Sequence, residues 1–129
     1  MLHLLNADRV AAGVAPLVLD QRLTSVAMSH SDDMARRHYF AHTASDGDNP
    51  FRRLDQGGIT YAIAAENLGL VDGYPEQQAV AVLNARMMAE PLTENSHHGI
   101  ILDPRFSHVG IGIYLAPGDT VYLTEDFTN

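Results

Sequence analysis

The chain has 129 residues, the size of one domain, and a chain of this length buries roughly two-thirds of its unfolded surface. Hydrophobic residues at 46% against 19% charged exclude disorder, and sixteen acidic against eight basic residues, a formal net charge of -8, argue against a groove that tracks nucleic-acid phosphates. The absence of cysteine removes a disulfide framework, a thiolate metal site and a cysteine nucleophile together.

Leu2, Leu5, Val10 and Ala11 mix with Asn6, Asp8 and Arg9 in a spacing that predicts a short amphipathic helix ending at Gly13. Pro16 opens an extended connector. Asp20 is a good N-cap for the next segment, where Leu23, Val26, Ala27, His30 and Met34 recur every three or four residues. His30 falls on that apolar face, so it reads as a hydrogen-bonded packing histidine before it reads as part of a site. From His38 to Asn49 the periodicity is lost, and Ser45-Asp46-Gly47-Asp48-Asn49-Pro50 marks a loop. Sites are built on such loops, and His42 lies at the start of this one.

Pro50 to Leu54 predicts a short helix with proline at its first position, closed by Gly57-Gly58. Ile59 to Ala65 reads as a strand or extended chain, and Glu66-Asn67-Leu68 follows directly. An acidic residue leaving an apolar run is costly when buried unless it has a partner. Asp72-Gly73 is a turn, and Pro75 opens a helix through Ala89 with Val80, Leu83 and Met87 on one face. Met87-Met88 reads as core packing. Pro91 ends that helix, and Leu92 to Ser96 is a polar connector.

The stretch from Ser96 to Tyr114 sets three histidines beside an apolar, glycine-spaced run. Val109-Gly110-Ile111-Gly112-Ile113-Tyr114 predicts a strand approached closely by another backbone, and Asp103-Pro104 the turn that feeds it. Ala116-Pro117-Gly118-Asp119 then turns the chain into a final strand over Thr120 to Phe127. No apolar run reaches the ~18 residues of a membrane span, so a transmembrane protein is not expected.

Two histidines and acidic residues on distant loops suit a divalent metal: neutral imidazole ligates zinc-like ions, and carboxylates orient the rings. There is no HExxH or other local ligand motif, and no GxSxG elbow for serine catalysis.

These residues carry a family resemblance. His97 followed by Ile100-Ile101-Leu102, Asp103-Pro104-x-Phe106 and His108-Val109-Gly110-Ile111-Gly112 resembles the signature of the CAP superfamily. That superfamily groups cysteine-rich secretory proteins, antigen 5 and pathogenesis-related 1 proteins. Asn6-x-x-Arg9 with Gly13 and Pro16-Leu17, Phe40-x-His42, Glu66-Asn67-Leu68 and Tyr122-x-Thr124-x-x-Phe127 resemble its bacterial branch, in the same order.

The resemblance implies a single domain over residues 1–129 and an α+β fold. That fold is a three-layer α/β/α sandwich whose small, mainly antiparallel sheet comes from the Ile59, Val109 and Val121 regions. It also implies a cleft with two histidines and two acids, in which some members hold a divalent cation between the histidines. Position by position these are His42, Glu66 and His97. The second acid falls between Glu90 and Glu94, with Glu90 preferred for its Met-Met-Ala-Glu-Pro setting. His98 stands where arginine is usual, Ser96 where glycine is usual and Glu125 where glutamine is common, and the tryptophan often found before the second histidine is missing. Adjacent residues diverge by about 100° in a helix and point to opposite faces in a strand, so His97 is favoured over His98 as the one facing the site.

The expected protein is an exported domain, secreted or extracytoplasmic, with any export signal upstream of Met1. His42 and His97 are its expected metal ligands, with zinc the leading cation. A binding module for a small-molecule, lipid, peptide or cell-wall ligand is favoured over an enzyme. The alternative is a metal-dependent, peptidase-like hydrolase with Glu66 as base. Nucleic acid is not an expected partner, and oligomeric state is left open.

Overall fold

The structure is a computed structural model that describes residues 1–129. Five helices and four strands follow one another as α1 (Leu2–Ala11), β1 (Val18–Leu19), α2 (Gln21–Arg37), α3 (Pro50–Gln56), β2 (Ala64–Val71), α4 (Glu76–Met88), α5 (His97–Leu102), β3 (His108–Ala116) and β4 (Thr120–Thr128). Three of the five helix starts, those of α2, α3 and α5, are set by side-chain caps. Asp20 accepts from the Arg22 and Leu23 amides at 2.7 and 3.1 Å, Asn49 from Arg52 at 3.1 Å and Ser96 from Gly99 at 2.9 Å. Proline at the head of α3 loses nothing there, because the first amides of a helix have no intrahelical acceptor.

The sheet runs β1-β3-β4-β2 and is antiparallel except where the two-residue β1 lies parallel to β3. Strand alternation sends Val121, Leu123 and Phe127 of β4 to one face, where they pack with Leu5, Leu83, Met87, Ile101 and Val109 in the main core under α1, α4 and α5. The other face is covered by α2. That layer is close because Gly110 and Gly112 hold nothing off: a Cβ on either would sit 2.2 Å from the backbone carbonyl carbon of Leu23 or Ala27. Ser31 completes the contact, donating to the Gly112 carbonyl at 2.9 Å and sharing a 2.8 Å bond with Thr124. The result is the three-layer α/β/α sandwich expected from the sequence.

Two polar residues of α1 act as fasteners. Asn6 pairs with Leu17 as a strand would, donating to its carbonyl at 3.0 Å and accepting from its amide at 2.7 Å. Arg9 is fully buried and donates to four carbonyls, those of Ala15, Ile101, Asp103 and Phe106, within 2.7–3.0 Å. One side chain thereby joins α1 to α5 and to the turn before β3.

Three local expectations change. The strand expected from Ile59 begins only at Ala64 and runs on through Glu66 to Val71, paired with β4 along its whole length. Ile59 turns into a small core with Leu23 and Leu54, and the Ala62 and Ile63 amides donate to the Asn129 side chain at 2.8 and 3.0 Å instead of to a strand. The Pro16 connector contains β1, and the stretch from His97 contains α5.

Candidate functional site

The fold sorts the four candidate residues into two histidine–carboxylate pairs on either side of β2, one of the sheet's two edge strands. Glu66 is the third residue of β2, and its side chain is only 1% exposed. One oxygen bonds His42 Nδ1 at 2.7 Å, and the other accepts from Arg53 Nη2, also at 2.7 Å. Arg53 reaches Glu66 from α3 and also donates to the His42 carbonyl at 3.0 Å and the Asp48 carbonyl at 3.2 Å. The loop that carries His42 is therefore tied to the same guanidinium as the carboxylate. His42 itself remains 55% exposed, so the pair offers an imidazole to solvent from a buried carboxylate.

The second pair stands at the end of α4. Glu90 bonds His97 Nδ1 at 2.6 Å with one oxygen and accepts the His97 amide at 2.9 Å with the other. These bonds from His97 hold the Glu90 carboxyl below its ordinary range. Both partners are about a third exposed, at 32% and 36%. His98 bonds the Glu90 carbonyl through Nδ1 at 2.9 Å, so both histidines engage one residue by different atoms. Glu94 contacts Arg105 at 3.4 Å and is not part of this pair.

Successive residues of β2 leave the sheet on opposite faces, so Asn67 points away from Glu66. Its amide lies 3.5 Å from the His97 carbonyl and 3.3 Å from Glu125 Oε2. A cavity of about 430 Å³ opens beside His42 and Glu66, walled by Pro50, Phe51, Ala64 and Ala65. A smaller one of about 220 Å³ shares Ala64 and Ala65 and continues toward Glu94 and Arg105. Glu90 and His97 line neither cavity, and no three histidine or acidic side chains converge as a ready-made metal cluster.

Each imidazole taken by itself has the donor chemistry of a cation ligand. Each ring gives Nδ1 to a carboxylate, which fixes the Nδ1-protonated tautomer and leaves Nε2, which has no hydrogen-bond partner, as a free lone pair. His42 and His97 would hold the cation, and Glu66 and Glu90 would orient them. His30 serves otherwise: it is buried, bonds the Ala41 carbonyl at 3.2 Å and packs by Tyr39, and burial lowers its pKa.

Sequence reasoning missed Arg53, on which the first pair depends. The only available signal was a second arginine in a short helix beside buried Leu54. It also left open the state of Glu125, which is fully buried and has one amide partner. Burial pushes its pKa up to about 7. Asp126, opposite Glu66 in the ladder, is pushed well up by burial and then by the Glu66 charge.

A three-layer α/β/α domain with an imidazole–carboxylate pair on either side of its edge strand is what fold and site define together. The family model of the cysteine-rich secretory protein family, CAP, matches residues 2–127, and the chain belongs to that family. Protein YkwD of Bacillus subtilis, itself uncharacterized, is 32% identical over 112 residues, 87% of this chain and 40% of its own length. The chain spans well under half the length of the curated relatives it matches. The crystal structure of an extracellular, SCP-domain protein from Bacillus anthracis superposes with a TM-score of 0.81 at 26% identity, covering 99% of this chain and 38% of that one. NaASP2, crystallised with Zn2+, superposes with a TM-score of 0.70 at 14% identity, covering 98% and 75%. No helix is long and apolar enough to cross a membrane.

Proposed function

We propose that this CAP domain works outside the cytoplasm as a binding module. In this reading His42 and His97 offer Nε2 to a divalent cation, zinc foremost, and the cavity beside Phe51 takes a small-molecule, lipid, peptide or cell-wall ligand. The observation that carries the reading is that both imidazoles are anchored through Nδ1 on carboxylates, the arrangement that orients metal-bound histidines. The zinc in NaASP2 belongs to that protein and makes zinc the first cation to try. A bound cation would supply a positive centre for an oxygen of the ligand. The half-exposed Phe51 and the apolar Leu54 and Ala64 would pack the rest of it.

Hydrolysis with Glu66 as general base is the weaker reading. Both Glu66 oxygens already accept, from Arg53 and from His42, so neither is free to take a proton from an attacking water. The test is calorimetric titration of zinc into EDTA-stripped protein at a pH of about 7.5, where imidazole is neutral. One-to-one binding that is lost in both His42→Ala and His97→Ala and kept in His108→Ala is the expected result. Equal loss in all three variants, or no binding at all, would overturn the cation site.

A further inference from the structure

The two edges of the sheet differ in length. β1 has two residues, whereas β2 has eight, with no proline and no bulge in its register against β4. The Ser107 and Val109 carbonyls accept from Val18 and Asp20 at 2.9 and 3.0 Å, so odd-numbered residues of β3 turn their main-chain groups to β1 and even-numbered ones to β4. Followed through the two antiparallel registers, that parity bonds Ala65 and Asn67 to Phe127 and Glu125, and it turns the N–H and C=O of Ala64 and Glu66 outward from the sheet. No strand lies on that side and no turn bonds these groups; the Asn129 side chain serves the Ala62 and Ile63 amides and stops there. Nor are they sealed. Ala64 is half-buried, and Glu66 is 7% exposed as a residue but 1% as a side chain, so what it shows to solvent is main chain.

A free edge takes up a peptide only where the side chains also find room. Successive residues of an added strand point to opposite faces, as those of β2 do. At Ala64 and Ala65 there is a cavity on each face: about 430 Å³ toward α3, walled by Pro50, Phe51 and Leu54, and about 220 Å³ toward α5, walled by Ile100 and Phe106. The apolar wall of the first suits an aliphatic side chain. The second also carries Glu94, Asp103 and Arg105. Arg105 is held by Asp103 through bonds of 2.6–3.0 Å and reaches Glu94 only at 3.4 Å, so two carboxylates share one guanidinium and negative charge is in excess. We propose that an extended peptide adds to β2 as a further strand, bonding the main chain of Ala64 and Glu66, with an apolar side chain in the larger cavity and a neighbouring basic one beside Glu94 and Asp103. The net charge of -8 favours such a basic partner. Strand addition rests on the reading above in using the cavity beside Phe51, and it needs no cation.

The test is nitrogen-labelled, EDTA-stripped protein titrated to about 1 mM with acetyl-Thr-Lys-Leu-Lys-Thr-amide, in which a lysine adjoins the leucine whichever way the strand runs. So short a peptide is expected to bind at ~0.1 mM. The Ala64 and Glu66 amide resonances should move downfield and saturate together, while those of Ala65 and Asn67, already bonded to β4, move less. The same peptide N-methylated at its two lysines and its leucine keeps the side chains without the strand donors, and should bind at least about tenfold more weakly. Glutamate in place of both lysines should weaken binding about tenfold, and Phe51→Ala by a similar factor. No movement at Ala64 and Glu66 by the end of the titration, or equal binding of the methylated peptide, would overturn strand addition. Zinc binding by protein that shows no such movement would leave the cation site standing alone; movement at Ala64 and Glu66 in protein that binds no zinc would do the reverse.

Discussion

Glu66 and Glu125 sit one rung apart on neighbouring strands, β2 and β4, and their side chains leave the sheet on opposite faces. Both are buried. On the α3 side Glu66 has a guanidinium on one oxygen and an imidazole on the other. On the α5 side Glu125 has one amide bond from Asn67 at 3.3 Å, and its Oε1 has no partner. A buried carboxylate stays charged when a counter-charge is built beside it, and otherwise takes up a proton. The contrast sets a carboxylate with a guanidinium partner on the His42 side of β2 against one without a counter-charge on the α5 side.

Removing the counter-charge relation is the strongest way to break this contrast. Glu66→Gln would take from the buried Arg53 cation the anion it is bonded to, and breaking a buried pair in this way costs about 3–5 kcal/mol. Urea unfolding of the variant should show that loss, and the paired variant Glu66→Gln with Arg53→Met should recover part of it because no lone charge remains. A loss of less than about 1 kcal/mol in the single variant would mean that Arg53 is served by solvent and the pair is not structural.

Glu125 sharpens the contrast with the opposite sign. Its carboxyl is raised from 4.5 in the unfolded chain to about 7 in the fold, chiefly by burial, so the folded state binds more protons than the unfolded one between those values. Stability supplied by the neutral acid is fully present below pH 4.5 and is lost as pH rises through 7. Glu125→Gln keeps the shape and the bond to Asn67 without the charge. It should match the parent protein at low pH and exceed it by on the order of 2–3 kcal/mol above neutrality. Urea unfolding of both proteins across this range checks it; a gap that does not change with pH would show that Glu125 is not the group responsible. Glutamine is also the residue the family resemblance leads one to expect at this position.

Which of these relations the sequence discloses follows from how local their causes are. The α2 face from Leu23 to Met34, the cap at Asp20 and the Pro50 helix depend on neighbours along the chain and are readable. Gly110 and Gly112 are readable too, since alternating glycines in a strand announce a close approach even though α2 as the partner is not named. The strand carrying Glu66 starts later than its apolar run suggests, because its polar Glu66-Asn67 centre hides an edge strand whose faces are filled from α3 and α5. At two residues, β1 is too short for periodicity, and α5 is a six-residue helix set by one serine cap. His42, Glu66, Glu90 and His97 stand out through the family resemblance and not through any local pattern. Arg53, whose role depends on three groups distant in sequence, had no signal of its own.

The finest comparison is between the two histidine–carboxylate pairs. Glu66 is buried and braced, whereas Glu90 shares a third of its surface with water and has no guanidinium behind it. Glu90→Gln should therefore change stability by less than about 1 kcal/mol, as exposed ion pairs do. A neutral amide can accept only one of the two His97 bonds and no longer sets a negative charge behind the ring that would hold the cation. Zinc affinity should drop by about 10- to 100-fold, the usual effect of losing an outer carboxylate. Glu94→Gln, four residues further along the chain and bonded only to Arg105 at 3.4 Å, should leave both stability and zinc affinity unchanged. If Glu94→Gln weakened zinc and Glu90→Gln did not, the second carboxylate of the site would be the exposed one, and the 2.6 Å bond between Glu90 and His97 would be only a helix-end fastening.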